Sequence, residues 1–149
     1  MTSVKKPDKK DWFYSDEVKE HFFNPKNICK TDEELEKFIS EADGIGEVGD
    51  ASCGDVMKMM IKVKDGRITE CKWLTFGCAS AIASTSILSE MVTENGGMLI
   101  EEALKITPKQ IVEKLEGLPN IKIHCSVLGD KALRAAIEDY KKKSKNTYL

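Results

Sequence analysis

The sequence predicts an α+β domain in which a small three-stranded antiparallel sheet packs against several helices. Between Val56 and Lys64 the odd-numbered residues are apolar and most even-numbered ones are lysines, which is the two-residue period of a half-buried strand. A further strand is predicted over residues 47–52. Before and after this region, apolar residues recur every three to four positions, which is the spacing typical of amphipathic helices.

Two helices are predicted before the sheet. Ser15 caps the first, and Pro25 ends it because proline lacks the backbone N–H that a helix needs. Thr31 or Asp32 caps the second, and the glycine-rich residues 44–46 are interpreted as its stop. The apolar residues that these two helices carry are Val18, Phe22, Phe23, Leu35, Phe38 and Ile39.

The strand 56–64 is predicted to form a hairpin with the residues that follow. A two-residue loop would place Ile61 opposite Glu70 and mix apolar with charged side chains on one face. An odd-length loop with Gly66 in the left-handed region instead brings Ile61 opposite the apolar series that contains Cys71. We therefore predict a three-residue loop with a bulge. This register places Cys71 on the packed face, where a free cysteine behaves as a small hydrophobe.

Four helices are predicted after the sheet. The first is rich in alanine and serine, which permit close packing, and the pair Gly96-Gly97 ends it. In the last, the residues expected to face the core are Leu128, Ala132, Leu133, Ala136, Ile137 and Tyr140. The four cover residues 79–95, residues 99–104, a segment from Thr107-Pro108 to Gly117 and Pro119, and a final helix capped by Ser126.

A single domain over residues 12–143, with flexible tails at 1–11 and 144–149, is the predicted organisation. With 149 residues, 41% of them hydrophobic, the chain can bury one core without disulfide staples. Its five cysteines are an odd number and no secretory signal precedes them, so we expect a reducing, cytoplasmic location. No apolar run approaches the roughly 20 residues that span a bilayer. A formal charge of -2 and the absence of a recognition motif argue against nucleic acid as a partner.

Three of the five cysteines, Cys53, Cys78 and Cys125, stand in distinctive sequence contexts. No two of the five form a Cys-x-x-Cys pair, so their thiolates would have to come together from three separate segments. Thiolates joined by an imidazole and a carboxylate make a mixed-ligand pocket that suits zinc or iron–sulfur chemistry. Cys78 and Cys125 also lie at predicted helix starts, where the free amide groups and the helix dipole favour thiolate.

Asp55 and His124 are further candidate ligands because each lies close to one of these cysteines. Either would bind iron less firmly than a fourth thiolate, so the site would hold a cluster less permanently. A zinc-stabilised binding or regulatory protein could use the same ligands. A cysteine-nucleophile enzyme is a second alternative, but the adjacent side chains of His124 and Cys125 rarely converge as base and nucleophile. Cys29 and Cys71 are interpreted as buried hydrophobes outside the site.

The cysteines belong to longer motifs that cover almost everything but the tails. These are Tyr14-Ser15, His21-x-x-Asn24-Pro25-x-Asn27, Gly44-Ile45-Gly46-Glu47-Val48-Gly49, Cys53-Gly54-Asp55, Thr75-Phe76-Gly77-Cys78-x-Ser80-Ala81-Ile82-Ala83-Ser84 and Leu118-Pro119-x-x-Lys122-x-His124-Cys125-Ser126. In these motifs the chain resembles the IscU family of iron–sulfur cluster assembly scaffolds, and it is most similar to the amino-terminal domain of the NifU branch.

The resemblance implies an IscU-like α+β fold and a scaffold rather than an enzyme. It implies that Fe²⁺, and sulfur delivered as persulfide by a cysteine desulfurase, are built into a 2Fe-2S cluster that passes to apo iron–sulfur proteins. Because Cys125 follows a histidine at a helix start, we expect it to be the principal persulfide acceptor, with Cys78 second. The implied cluster site consists of Cys53, Asp55, Cys78, His124 and Cys125.

Two segments depart from the family's pattern. The family commonly has glycine where this chain has Cys29, and the charged segment 30–43 that follows is longer here. The chaperone-recognition segment, Leu-Pro-Pro-Val-Lys in the IscU branch, keeps Leu118, Pro119 and Lys122 but differs between them. A DnaK/DnaJ-type chaperone is therefore an expected partner only if it recognises this altered segment. The sequence leaves open whether Asp55 or His124 is the fourth ligand, whether a 4Fe-4S form occurs, and whether the chain is a homo-oligomer.

Overall fold

The computed structural model describes residues 16–50, 55–76, 79–114 and 126–147. Four strands form one antiparallel sheet in the order β1-β2-β3-β4, and helices pack on both of its faces. In chain order the elements are α1 (Asp16–Phe23), α2 (Asp32–Glu41), β1 (Gly44–Asp50), β2 (Asp55–Lys64), β3 (Arg67–Thr75), α3 (Ala79–Thr93), a 3₁₀ turn (Glu94–Gly96), β4 (Met98–Leu99), α4 (Ile100–Ala103), α5 (Pro108–Lys114) and α6 (Ser126–Thr147).

The predicted α+β class is confirmed, but the sheet has four strands rather than three. The additional strand, β4, is only two residues long and pairs with Arg67 and Ile68 at the start of β3. Two residues are too few to show a strand period, so the sequence pattern predicts Leu99 at the start of a helix instead. That helix, α4, begins one position later, at Ile100.

The predicted register of β2 and β3 is confirmed. Ile61 pairs with Cys71 and Met59 pairs with Trp73, and all four side chains are buried. This arrangement places the odd-numbered residues of β2 and, from Cys71 onward, those of β3 on one face, which we call the inner face of the sheet. Ile68, which pairs with Val63 beyond a shift in the pairing, also belongs to this face.

The predicted three-residue loop is wrong. Lys64 pairs with Arg67, which leaves Asp65-Gly66 as a two-residue loop in which both residues have positive φ angles, 55° and 77°. Such backbones are typical of the tight turns whose twist matches that of paired strands. The extra residue lies inside the hairpin instead, where the pairing shifts between Lys62 and Val63.

The inner face of the sheet carries the main core. α6 lies so close to β1 that a side chain at Gly46 would collide with the carbonyl oxygen of Ala132. The glycines of residues 44–46 are therefore part of a strand rather than the stop of α2, which ends at Glu41. The largest fully buried side chains on this face and on its helices are Met57, Met59, Ile61, Ile68, Trp73, Leu88, Ile111, Leu133 and Ile137.

The opposite face, which we call the outer face, is covered by α2. Phe38 of this helix packs with Met60 and Cys29 in a second, smaller apolar cluster. Of the two predicted caps, Thr31 is the one used, because its hydroxyl accepts the Glu34 N–H at 3.0 Å. The charged segment 30–43 that departs from the family's pattern thus forms a helix with one apolar side.

The remaining predicted helices are confirmed, with small shifts at their ends. α3 stops at Thr93, before the 3₁₀ turn, and α5 begins at Pro108 as predicted. Ser15, and the predicted end of α5 at Gly117 and Pro119, lie outside the described residues. Four of the predicted core residues of the last helix, Ala132, Leu133, Ala136 and Ile137, are buried, while Tyr140 is half-buried and the side chain of Leu128 is not described.

The predicted division into a domain and two tails stays a prediction. α6 runs to Thr147, beyond the predicted domain end at residue 143, and the structure does not describe residues 1–11. Within the described ranges, no helix is both long and apolar enough to cross a membrane.

Candidate functional site

The predicted site residues fall mostly outside the part of the chain that the structure describes. Asp55 is the exception, because its backbone begins β2, although its side chain is not described. The structure shows the elements that precede and follow each of these segments. The residues outside the described ranges are Cys53, Cys78, Leu118, Pro119, Lys122, His124 and Cys125.

Two of these segments join elements at one end of the sheet. Asp50, the last residue of β1, pairs with Asp55, the first residue of β2, so the segment of Cys53 connects two neighbouring strand ends. β3 finishes at this same end, because its last residue, Thr75, pairs with Met57. Its path is continued by Phe76, whose N–H donates to the Val56 carbonyl at 3.2 Å. We call this end of the sheet the site end.

The two long helices also begin at the site end. α3 starts at Ala79, directly after the segment of Cys78 that leaves β3. α6 runs antiparallel to β1, because Gly44 lies against Ala136 whereas Gly46, further along the strand, lies against Ala132, nearer the start of the helix. The start of α6 at Ser126, directly after His124 and Cys125, is therefore directed toward the end of β1.

The first turn of α6 is in close contact with the middle of α3. A methyl group added at Gly129 would lie 2.8 Å from the Thr85 hydroxyl oxygen and 3.4 Å from a Leu88 methyl group. Such a close approach requires glycine in α6. The strand ends and helix starts that flank the three ligand-bearing segments thus lie at one end of the described structure.

The motif His21-x-x-Asn24-Pro25-x-Asn27 fastens the loop after α1 to α3. His21 Nδ1 lies 2.7 Å from Ser86 Oγ, which also accepts the Lys26 N–H at 2.8 Å. Asn27 Nδ2 donates to Ser89 Oγ at 3.0 Å. Because these partners are buried or half-buried, the motif contributes to the rigidity of α3 rather than offering ligands.

The same loop is fastened to the sheet through Trp73. The indole Nε1–H donates to the Lys26 carbonyl at 2.8 Å, and the Cys29 N–H donates to the Trp73 carbonyl at 2.9 Å. Ile28 forms a parallel bridge with Trp73, so the loop covers the edge of β3 beyond the short β4. The loop therefore supports β3 at Trp73, three residues before Phe76.

Cys29 and Cys71 are buried in apolar clusters, as predicted. Their exposed fractions are 5% and 2%, and burial raises the pKa of the Cys71 thiol to about 12. Burial, followed by the charge of Glu34, also raises the pKa of Cys29. Because thiolate is the form that binds metals and attacks persulfides, both cysteines are poor candidates for either task.

Within the described residues, no group of three or more histidine, cysteine or acidic side chains could hold a metal ion. A metal or cluster site built from such ligands would therefore need at least one residue outside the described ranges. One residue there was given no role from the sequence. Phe76 is a large apolar side chain that is 77% exposed directly beside the segment of Cys78. An aromatic residue just past a strand end is the signal that could have identified it.

Comparison with known proteins places this architecture in a family. Residues 13–147 match the family model described as the NifU-like N terminal domain. The iron-sulfur cluster assembly scaffold protein IscU 1 of Archaeoglobus fulgidus is 51% identical over 131 residues, which are 88% of this chain and 78% of that protein. The nitrogen fixation protein NifU of Nostoc sp. is 45% identical over 132 residues, but this chain covers only 42% of its length.

The fold has a counterpart among solved structures. The N-terminal part of a NifU-like protein from Brucella abortus superposes with a TM-score of 0.64, covering 87% of this chain and 94% of the other. The identity of 18% limits this likeness to the fold.

Proposed function

Because this chain belongs to the family of the NifU-like N-terminal domain, we propose that it is a scaffold on which an iron–sulfur cluster is assembled for transfer to apoproteins. The observation that supports this most is the convergence of strand and helix ends at the site end, directly beside the three ligand-bearing segments. The proposed role is to hold the cluster and release it, so the chain is not an enzyme.

The proposed cargo is a 2Fe-2S cluster. Its ligands would be drawn from Cys53, Asp55, Cys78, His124 and Cys125, which combine soft thiolates with a harder carboxylate and an imidazole. A mixed set of this kind binds iron less firmly than four thiolates, which suits a cluster that must leave. Zn²⁺ can occupy such a ligand set, but the relatives named above are called cluster assembly and nitrogen fixation proteins rather than zinc proteins.

The proposed sulfur source is a cysteine desulfurase, which carries sulfur as a persulfide. Cys125 is the proposed principal acceptor and Cys78 the second. Each immediately precedes the first residue of a long helix in the sequence, a position that favours thiolate. Cys29 and Cys71 are excluded by their raised pKa values and burial. Each accepted sulfane sulfur must gain two electrons to become sulfide, so assembly also consumes a reductant.

Further partners belong to the same proposal. Apo iron–sulfur proteins would receive the cluster, and a DnaK/DnaJ-type chaperone would recognise the segment that contains Leu118, Pro119 and Lys122. Metal-binding thiolates stay reduced in the cytoplasm, which is the proposed location.

Anaerobic reconstitution tests the proposed function. The apoprotein is mixed with Fe²⁺, cysteine, a desulfurase and dithiothreitol, and the product is examined by visible absorption, acid-labile sulfide and native mass spectrometry. The expected result is a charge-transfer spectrum, the mass of a 2Fe-2S cluster and its transfer to an apo-ferredoxin. A colourless protein that keeps Zn²⁺ and acquires no cluster would support the zinc-binding alternative instead, and turnover of a thioester or peptide would support an enzyme.

The lability of the cluster is tested by Asp55→Ala. Removing a weak oxygen ligand and a polar group beside the cluster should slow cluster loss to a chelator and slow transfer to apo-ferredoxin. Cys29→Ser is the matched control, because it changes a potential ligand outside the proposed set and should leave both rates unaltered. Faster cluster loss from Asp55→Ala would contradict this role of the carboxylate. If Cys29→Ser failed to hold a cluster, Cys29 would have to be added to the ligand set.

A further inference from the structure

The two edges of the sheet are protected to different degrees. The edge of β3 is covered near its start by β4 and near its end by the loop that bridges to Trp73. Among the described residues, the backbone edge of β1 has one hydrogen-bond partner, the Asp139 carboxylate of α6, which accepts the Ile45 N–H at 2.8 Å. A strand edge with unpaired backbone groups is a template for a further strand.

The register of β1 shows which of its other backbone groups point outward. Every second residue of an antiparallel strand directs both its N–H and its C=O to the same side. Because the Ile45 N–H faces α6 rather than β2, the backbone groups of Glu47 and Gly49 face away from β2 as well. The other side of β2 agrees, since Val56, which pairs with Gly49, accepts the Phe76 N–H with its carbonyl.

These outward backbone groups are accessible. Glu47 and Gly49 are both exposed, and the Glu47 side chain has 58% of its surface open to solvent. Apart from the ladder with β2, no hydrogen bond within the described ranges involves the backbone of either residue. Gly49 has no side chain, so another backbone can approach it closely. Residues 47–49, which we call the open edge, therefore offer the N–H and C=O groups of Glu47 and Gly49 to an added strand.

The charge beside the open edge indicates what the added strand carries. Glu47 lies on the outer face, because Ile45, two residues before it, packs in the cluster under α2. Lys58 of β2 lies on one side of Glu47, 3.6 Å from its carboxylate. An added strand would lie on the other side of Glu47. Since opposite charges on neighbouring strands attract, a lysine or arginine on the added strand fits this position.

A second copy of this chain is a poorer fit to the open edge. Antiparallel pairing of two open edges would place the two Glu47 side chains opposite or diagonal to each other on one face. Like charges on neighbouring strands repel, and a charged side chain on an exposed edge is a common protection against such self-pairing.

We propose that the open edge binds an extended, basic segment of a partner protein as an additional strand beside β1. The backbone groups of Glu47 and Gly49 hold this segment by hydrogen bonds, and a lysine or arginine of the segment lies next to the Glu47 carboxylate. Binding of this kind needs no cluster and is independent of the proposed scaffold function.

NMR titration of the isotope-labelled apoprotein with two peptides tests the open edge. One is a six-residue peptide, acetylated and amidated, in which lysine alternates with valine, and the other has glutamate in place of lysine. About 0.15 M salt limits non-specific attraction. Gly49→Pro removes one outward N–H, which edge strands tolerate, and Gly49 is not among the glycines with positive φ. Gly49→Ala is the matched control because it keeps the N–H, and Glu47→Lys reverses the charge.

The basic peptide should shift the amide signals of Glu47 and Gly49, whereas the acidic peptide should leave them unchanged. Gly49→Pro should raise the Kd for the basic peptide at least about tenfold, because it removes a hydrogen bond and places its ring at the edge. Gly49→Ala should bind within about twofold of the unchanged protein. Glu47→Lys should raise the Kd about fivefold, since it exchanges an attraction for a repulsion.

Absence of shifts with the basic peptide, equal binding of the two peptides, or an unchanged Kd for Gly49→Pro would each overturn the proposal. If circular dichroism shows that Gly49→Pro does not fold, Glu47→Lys decides, because its side chain is exposed, and an unchanged Kd there would refute the basic segment. Sedimentation of the unchanged protein at increasing concentration tests the second copy as occupant. A dimer that any of the edge variants abolishes would assign the open edge to self-pairing and likewise overturn the proposal.

Discussion

The two faces of the sheet are built differently, although the same strands supply both. Met59 and Met60 are consecutive in β2 and both are fully buried, yet Met59 belongs to the main core and Met60 to the small cluster under α2. The inner face is closed by α3 and α6, two long helices that begin at the site end. Among the described residues, α2 and Cys29 cover part of the outer face, and Phe76 is exposed to solvent.

This difference separates two tasks of the molecule. The inner face fixes the strand and helix ends next to the ligand-bearing segments, so disturbing it should affect folding as a whole. The outer face has a short helix and an exposed aromatic residue, so it can change with less effect on the fold. Surfaces that distinguish one relative from another are expected there, in agreement with the longer segment 30–43 that forms α2.

The largest expected effect follows from Gly46→Val, which places a side chain between β1 and α6. Because its Cβ would collide with the Ala132 carbonyl, the strand or the helix must move, and we expect a loss of about 5 kcal/mol or more in unfolding free energy. Urea denaturation followed by circular dichroism measures it. Gly46→Ala, with less added volume, serves if the valine variant does not fold.

The control on the same strand is Glu47→Val, which adds an apolar side chain at an exposed outer-face position. Its only ion pair in the described structure, with Lys58 at 3.6 Å, is exposed and contributes little. If Glu47→Val destabilised the protein as much as Gly46→Val, the close contact with α6 would not explain the effect.

A smaller effect is expected from the pair Met59→Ala and Met60→Ala. Each removes the same side chain, but the Met59 cavity would be enclosed by the main core, whereas α2 can settle onto the space left by Met60. We expect losses of about 4 and about 2 kcal/mol in unfolding free energy, respectively, from the usual range for buried methionine. Urea denaturation of both variants gives the comparison. Equal losses would mean that the two clusters behave as one core.

The sequence predicts the inner face well because one physical rule governs it. Alternating side chains in residues 56–64 had to be buried on one side, which forced the pairing of Ile61 with Cys71. The same rule says nothing about where an extra residue is placed. The bulge was therefore predicted in the turn, whereas the structure has it within the hairpin and keeps a tight turn at Asp65-Gly66.

Glycines and short elements limited the rest of the fold prediction. Residues 44–46 resemble a helix stop, and only the three-dimensional closeness of α6 explains why glycine is needed in a strand there. For the candidate site, sequence motifs alone named the ligands, and the structure adds the flanking elements without testing the ligands themselves. Phe76 had no predicted role because exposure depends on the packing of α2 and the strand ends rather than on local pattern.

A third effect, about 1.5 kcal/mol, is expected from Asp139→Asn, because the hydrogen bond it weakens is made to a charged group. The Asp139 carboxylate accepts the Ile45 N–H at 2.8 Å, which joins α6 to the free edge of β1. Burial raises the pKa of Asp139, but the Ile45 hydrogen bond and Lys143 outweigh it, so the pKa is lowered from 3.8. A carboxyl group with a lowered folded-state pKa stabilises the fold above its ordinary pKa and loses that contribution as pH falls through the folded value.

The difference in unfolding free energy between the unchanged protein and Asp139→Asn should therefore be constant near neutral pH and shrink below about pH 4. Denaturation series at several pH values measure it. Asp43→Asn is the matched control, because the Asp43 carboxylate also accepts a backbone N–H, that of Val63 in β2, at 2.8 Å. A difference that grows toward acid pH would contradict the assignment of the lowered pKa to the bonded carboxylate.

The smallest effect on stability is expected at the two buried cysteines. Their labelling rates also compare how readily the two faces of the sheet open. Cys71→Ala and Cys29→Ala each remove one sulfur from a packed site, so each should cost about 1 kcal/mol and leave the cluster spectrum unchanged.

In the unchanged protein, alkylation by iodoacetamide at pH 8 should distinguish the two cysteines. Cys71 lies in the main core with a pKa near 12, so it should react only through global unfolding. Cys29 lies under α2, whose local opening exposes it, so it should be labelled much sooner. Equal labelling rates of Cys29 and Cys71, measured by peptide mass spectrometry, would show that α2 opens only when the whole domain unfolds.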